Sequence, residues 1–191
     1  MSLLAEKRFE EAESHLKKAE SLDPTSRSIA IYLAWKFYFN RQYDQAIEQS
    51  QKVLELDGNL TTPFMILRSA YEQKGMYDEA VKAELKRLNT HDSQIIKSLT
   101  DAYQKQGIKG FWQKQIEVFQ EERESTSEVA DYHIATRYAL LNLKEEALRE
   151  IEKGFISRGS MWHQINVEPA FDSLRSEPRF QSLLRKLNLP Q

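Results

Sequence analysis

Three stretches of this chain fall into register at an interval of 34 residues, and no other feature restricts its fold so tightly. "FEEAESHLKKAESLDP" (9–24), "YDQAIEQSQKVLELDG" (43–58) and "YDEAVKAELKRLNTHD" (77–92) align on Ala12, Ala46 and Ala80. An aromatic residue stands three positions before each alanine: Phe9, Tyr43 and Tyr77. The first two stretches end in Leu-Asp followed by Pro24 or Gly58, residues that stop a helix. A repeat of this length marks units that cannot bury their apolar faces alone and stack on their neighbours instead.

Ahead of the second and third alanines lies another helical pattern. In "IAIYLAWKFYFNRQYDQA" the residues Ala30, Leu33, Ala34 and Phe37 fall on one stripe, and Phe64, Leu67, Arg68 and Tyr71 hold the same places in "FMILRSAYEQKGMYDEA". Gly75 then breaks the chain before the second helix of that unit. Two weaker units follow. Residues 98–122 keep Tyr103 and Gly107 but place Trp112 in the alanine slot, which predicts a helix pair set further apart. Residues 131–155 recover Ala135, Tyr138, Ala147 and Gly154. Full repeats are expected to start near 27, 61, 93 and 128. With only 6 Gly and 5 Pro, the chain favours long helices over tight turns.

These residues resemble the tetratricopeptide repeat, a helix–turn–helix unit of 34 residues. The resemblance implies an all-α fold, a right-handed superhelical solenoid of antiparallel helix pairs. Residues 1–26 would hold the second helix of a partial repeat with a shortened stub of the first, residues 27–159 four helix pairs, and residues 160–191 a short helical C-terminal cap. The sequence departs from the family pattern at Arg68, in a small-residue position, and at Leu16, Ser50 and Glu84, where an aromatic is usual. The half-repeat at the front reads as a truncated boundary in preference to a natural short cap, and its apolar edge offers a route to self-association.

The tail says one thing twice: Glu168-Pro169-x-Phe171 recurs as Glu177-Pro178-x-Phe180. Proline is tolerated in the first turn of a helix and pushes the residue before it out of helical conformation. Each Glu-Pro is therefore a predicted helix start, with Asn166 or Ser176 as a capping side chain, and Phe180, Leu183, Leu184 and Leu187 form an apolar stripe. The pair reads as a stopper for the array. The run from about 128 to 189 also resembles the C-terminal ends of bacterial multidomain tetratricopeptide proteins. In those, the repeats follow a winged-helix DNA-binding domain, a serine/threonine kinase or a cyclase, which implies a place in transcription regulation or signalling.

Composition excludes several classes. There is no cysteine, hence no disulfide or thiol chemistry. The net charge of −2 and the interruption of Lys82, Lys86 and Arg87 by acidic neighbours argue against direct nucleic-acid binding. No apolar run is long enough to span a bilayer, and a cytoplasmic location is expected. His15, His91, His133 and His163 are scattered without metal-ligand spacing and are expected at the surface or in an interface. No phosphate loop or nucleophile elbow is present, so neither a cofactor nor an enzymatic activity is expected.

The expected partner is a protein or peptide. In the family register, positions 2, 5, 9 and 12 of each unit face the concave groove. The resemblance thus assigns Ser28, Ile31, Trp35 and Tyr38 from the first full repeat, Thr62, Met65, Ser69 and Glu72 from the second, and Gln94, Lys97, Asp101 and Gln104 from the third. Helix 27–40 stands out on physical grounds as well, because it is apolar nearly all round. Ala30, Leu33, Ala34 and Phe37 account for its core stripe. Ile31, Trp35 and Tyr38 form a second, either packed on the partial repeat or open to a partner. Ile31, Trp35, Met65 and Ser69 stand where some relatives carry Lys and Asn to clamp a terminal carboxylate, so an apolar or amphipathic segment is the expected ligand.

Overall fold

A computed structural model describes residues 2–88, 93–121, 127–157, 162 and 164–190. The chain is all-α. The described residues form α-helices, 3-10 turns and short connections, with no strand among them, and they divide into two units, residues 1–90 and 91–191.

The first unit contains α1 (Ser2–Ala5), α2 (Phe9–Leu22), α3 (Arg27–Phe39), α4 (Tyr43–Leu56), α5 (Thr61–Gln73) and α6 (Tyr77–Arg87). Each helix packs on the next in the chain, and α3 also lies beside α5. Short turns fold each helix back on its predecessor. Ala12, Ala46 and Ala80 are all buried, because a methyl group is what lets two helix backbones come close. The stub at the front is α1, with Leu4 and Ala5 buried.

The turns repeat as closely as the helices do. Lys7, Arg41 and Gly75 are spaced by 34 and all adopt left-handed backbone, with φ of 61°, 58° and 70°. In each, the next N–H bonds back to the carbonyl five residues before it: Arg8 to Leu3, Gln42 to Phe37 and Met76 to Tyr71, all at 2.9 Å. This is the Schellman closure, which satisfies carbonyls left orphaned at the helix end. Only Gly75 announced it in the sequence. Left-handed backbone costs a non-glycine residue roughly 1–2 kcal/mol, so Arg41→Gly should stabilise the first unit by about 0.5–1 kcal/mol. That gain allows for loss of the guanidinium bond to the Phe39 carbonyl at 2.5 Å. Urea unfolding of the two proteins checks it, and a loss of stability would show that the side-chain bond outweighs the backbone strain.

The second unit contains α7 (Ser93–Glu121), α8 (Ser127–Leu140) and α9 (Lys144–Ser157), then a 3-10 segment (Pro169–Leu174) and α10 (Pro178–Lys186). Helix α7 is two arms meeting at Gly107, whose φ of 62° and ψ of −154° no helix contains. A side chain at Gly110 would come within 2.8 Å of the Ala102 carbonyl. Eight residues of straight helix span about 12 Å, so the arms fold back on each other across Gly107. The wider spacing expected from Trp112 thus does not reach the turn, where Gly110 provides the close approach. The α8–α9 turn repeats the first unit's closure: Asn142 has φ 60°, and Leu143 N–H bonds to Tyr138 at 2.9 Å.

The tail closes onto α8 and α9. Phe171, Leu174, Phe180, Leu183 and Leu184 are buried in one core with Tyr132, Ala147, Ile151 and Trp162. Capping differs from expectation, since Glu168 itself caps the 3-10 segment, accepting from Ala170 N–H at 3.2 Å and from the Tyr132 hydroxyl at 2.9 Å. The glutamate before Pro178 makes no cap bond, and Glu177 instead accepts from Lys144 at 2.7 Å. Arg179 bridges to Glu145 and Glu152, both at 2.8 Å, and its hydrogen bond holds the Glu152 carboxyl below the usual carboxylate range. His133, expected at the surface or in an interface, is buried with its ring stacked on Phe119 at 5.2 Å. His91 and His163 lie outside the described residues.

Candidate protein-binding face

Helix α3 contains too many apolar residues to bury them all. Leu33, Ala34, Tyr38 and Phe39 enter the core. Lys36 is buried too: its ammonium pairs with Glu13 of α2, donates to Gln42 Oε1 at 3.0 Å and lies 4.9 Å from the Phe37 ring centroid. Lys17 and Lys36 together hold the Glu13 carboxyl below its ordinary pKa. This buried cation sits inside an apolar run that gave no warning of it.

Ile31 and Trp35 remain half-buried, and Tyr32 is 43% exposed. The Trp35 ring stacks on Phe39 at 5.3 Å and 14°, and meets Tyr38 edge-on at 5.8 Å. Its orientation is therefore set by its own helix before any partner arrives. The family register passes over Tyr32, although Tyr32 precedes Trp35 by three residues and shares its side of the helix. That spacing was the available signal.

The accessible face is narrower than the sequence suggests. Tyr38 is 2% exposed, packed against Phe39 at 5.3 Å and Tyr43 at 6.1 Å, so its ring belongs to the core and not to a contact surface. On α5, Met65 is half-buried, but Ser69 and Glu72 are buried. The cause is Arg68, itself buried. Its guanidinium reaches Ser69 Oγ at 3.3 Å, Glu72 at 4.0 Å and Glu84 of α6 at 3.5 Å. Arg87 completes the cluster with bonds to Glu84 at 2.8 and 3.0 Å.

Arg68 and Glu84, two of the departures from the repeat pattern, are thus each other's partners. The positions 34 residues earlier hold Ala34, Tyr38 and Ser50, all buried, where this unit holds Arg68, Glu72 and Glu84. One repeat closes its helix pair with a small residue, a ring and a hydroxyl. The next does it with charge.

Lys97 and Asp101 belong to the second unit, one helical turn apart on the first arm of α7, the lysine exposed and the aspartate half-buried. Among the described residues no group of His, Cys, Asp and Glu could hold a metal ion, and no helix is long and apolar enough to cross a membrane.

Residues 3–60, which contain α2 to α4 and most of α1, match the tetratricopeptide repeat family. No curated protein matches the chain. Repeats of this kind generally mediate protein–protein interaction, which fits an interaction module.

Proposed function

We propose that this chain is a non-catalytic protein-binding module that takes an apolar or amphipathic segment on the face formed by α3 and α5. The observation that carries the reading is the partly open edge of α3, where Ile31, Tyr32 and Trp35 stay accessible while Leu33, Ala34, Lys36, Tyr38 and Phe39 of the same helix are buried. Tryptophan and tyrosine bring large contact area at low entropic cost, and such anchors each contribute roughly 2 kcal/mol or more when a partner covers them. Met65 on the neighbouring helix extends the patch without adding charge. Likeness of the tail to bacterial regulators supports a wider reading, in which this is the repeat region of a larger regulatory protein and reports occupancy to an effector domain. Reading the gene upstream of the Met1 codon tests that part.

Peptides selected from a random displayed library against the whole chain provide the binding test, with affinities read by fluorescence anisotropy. Tyr32→Ala and Trp35→Ala should each weaken the selected peptides by about 30-fold, the equivalent of roughly 2 kcal/mol. Because Tyr32 is exposed, its replacement should leave stability within about 0.5 kcal/mol. Unchanged affinities in both variants would sink the proposal.

A second reading, self-association through the α1–α2 edge, draws on Leu22, which is 80% exposed at the end of α2. Sedimentation at tens of micromolar separates the two, since a monomer removes the second reading.

A further inference from the structure

The α3–α5 face leaves unexplained a cleft of about 470 Å³ on another side of the same unit. Its floor is Phe64, Leu67 and Tyr71 of α5. At 3.6 residues per turn these three point roughly 130° away from Met65, Ser69 and Glu72, so the cleft and the α3–α5 face are separate surfaces. One wall is α4 with Leu54 and Glu55, and the other is α6, which places Glu79 at one end of the cleft and Lys82 and Lys86 along the rest of it.

Leu67 is buried, but Phe64 and Tyr71 are only half-buried, although they share its apolar stripe. The repeat therefore leaves one edge of its stripe uncovered. Among the described residues the Tyr71 hydroxyl has no hydrogen-bond partner, and Lys82 and Lys86 have no carboxylate. Lys18 of α2 is likewise without one, but other lysines of the unit are paired. Lys17 and Lys52 hold glutamates at 2.7 and 2.8 Å, and Lys36 and Lys74 are paired as well. Lys82 and Lys86 stand one helical turn apart, both exposed, along the rim of an apolar floor.

We propose that this cleft is a second docking site, and that its occupant is an amphipathic helix of another protein with an acidic edge. Its bulky apolar side chains lie on Phe64, Leu67 and Tyr71, as an amphipathic helix lies in a hydrophobic groove. Two carboxylates one turn apart face Lys82 and Lys86, while the edge towards Glu55 is neutral or basic. The unequal walls fix the direction of the helix, since reversing it sets carboxylates against Glu55. Charge at such a rim sets partner choice and association rate.

The probe is a synthetic 18-residue amphipathic helix with leucine and phenylalanine on one face and glutamates along one edge, paired with a twin that carries lysines at those positions. Both are titrated against the whole chain by anisotropy at about 50 mM salt, where charge is little screened. The acidic peptide should bind at least tenfold more tightly than its twin, and Lys82→Glu with Lys86→Glu should reverse the preference. Tyr32→Ala should leave the preference for the acidic peptide over its twin unchanged, which keeps this site distinct from the α3–α5 face. Equal binding of the two peptides, no binding of the acidic one, or loss of that preference on Tyr32→Ala instead of on the lysine reversals would each overturn the proposal. So would sedimentation showing a dimer that the lysine reversals dissociate, because the occupant would then be a second copy of the chain.

Discussion

Gly154→Ala should destabilise the second unit by about 3–5 kcal/mol, a large loss for the smallest addition a side chain can make. A methyl group on Gly154 would lie 1.7 Å from Trp162 Cζ2 and 2.0 Å from Cε2, inside the ring's own volume. The indole cannot move aside within its core, where it is 2% exposed and meets Tyr132 edge-on at 5.6 Å. It must leave, and expelling a buried tryptophan resembles deleting one, which costs 3–5 kcal/mol. The sign is what makes the result informative. Gly154 is in helix α9, where glycine to alanine ordinarily gains about 1 kcal/mol. Chemical unfolding gives the magnitude, and a red shift in tryptophan emission shows where the ring has gone. Adding Trp162→Phe, which shortens the ring at the point of overlap, should recover part of the loss. A neutral or stabilising Gly154→Ala would mean that the indole does not rest on this glycine.

The second large effect is expected at the buried ionic cluster. Glu84→Ser alone leaves Arg68 and Arg87 facing a site that has lost its carboxylate. Removing one partner of a buried ion pair costs about 3–5 kcal/mol, whereas replacing the whole group with well-packed residues is often neutral or stabilising. The chain supplies its own replacement in the residues 34 positions earlier. Arg68→Ala, Glu72→Tyr and Glu84→Ser together install the Ala34, Tyr38 and Ser50 arrangement in the next repeat. This triple variant should lie within about 1.5 kcal/mol of the parent, although the single changes sum to far more. Thermal unfolding of the singles and the triple checks the prediction. Additive losses would show that the three positions act independently.

Much of the fold was legible because it rests on small residues and short-range rules. The alanines at a 34-residue interval mark where helices cross, the Leu-Asp stops mark where they end, and the Glu-Pro pairs mark the starts within the tail. Less was legible wherever a side chain is satisfied by something distant in sequence. Arg68 and Glu84 each read only as a departure from the family pattern, since their partnership runs across 16 residues and two helices. Nothing near Lys36 in the sequence marked it for burial, but Glu13 draws it inward from 23 residues away. The left-handed turn at Arg41 was invisible because glycine, its usual sign, is absent there.

The candidate face was legible in outline only. The register placed Ile31, Trp35 and Met65 where some of their surface is open, but it could not tell that Tyr38 would be taken up by Phe39 and Tyr43, or Ser69 and Glu72 by Arg68. It passed over Tyr32, which spacing from Trp35 would have found. The cleft over α5 was hidden for a related reason. Phe64 and Tyr71 read as core because they share a stripe with Leu67, and periodicity says which side of a helix is apolar without saying how far its neighbours reach to cover it.

The change from an Ala34–Tyr38–Ser50 closure to an Arg68–Glu72–Glu84 closure also bears on how such a gene can be rearranged. Tandem repeats lengthen and shorten by recombination between copies, and copies that are chemically alike tolerate a crossover anywhere. These two are not alike. A crossover falling between the two helices of a repeat would join α3 to α6 and leave Glu84 buried opposite Ala34, in a product that loses its fold with the repeat. A crossover in the α4–α5 turn keeps each set whole. Selection among descendants of this gene should therefore preserve breakpoints at the turns between pairs and remove those within them, so that α5 and α6 are inherited together as one unit.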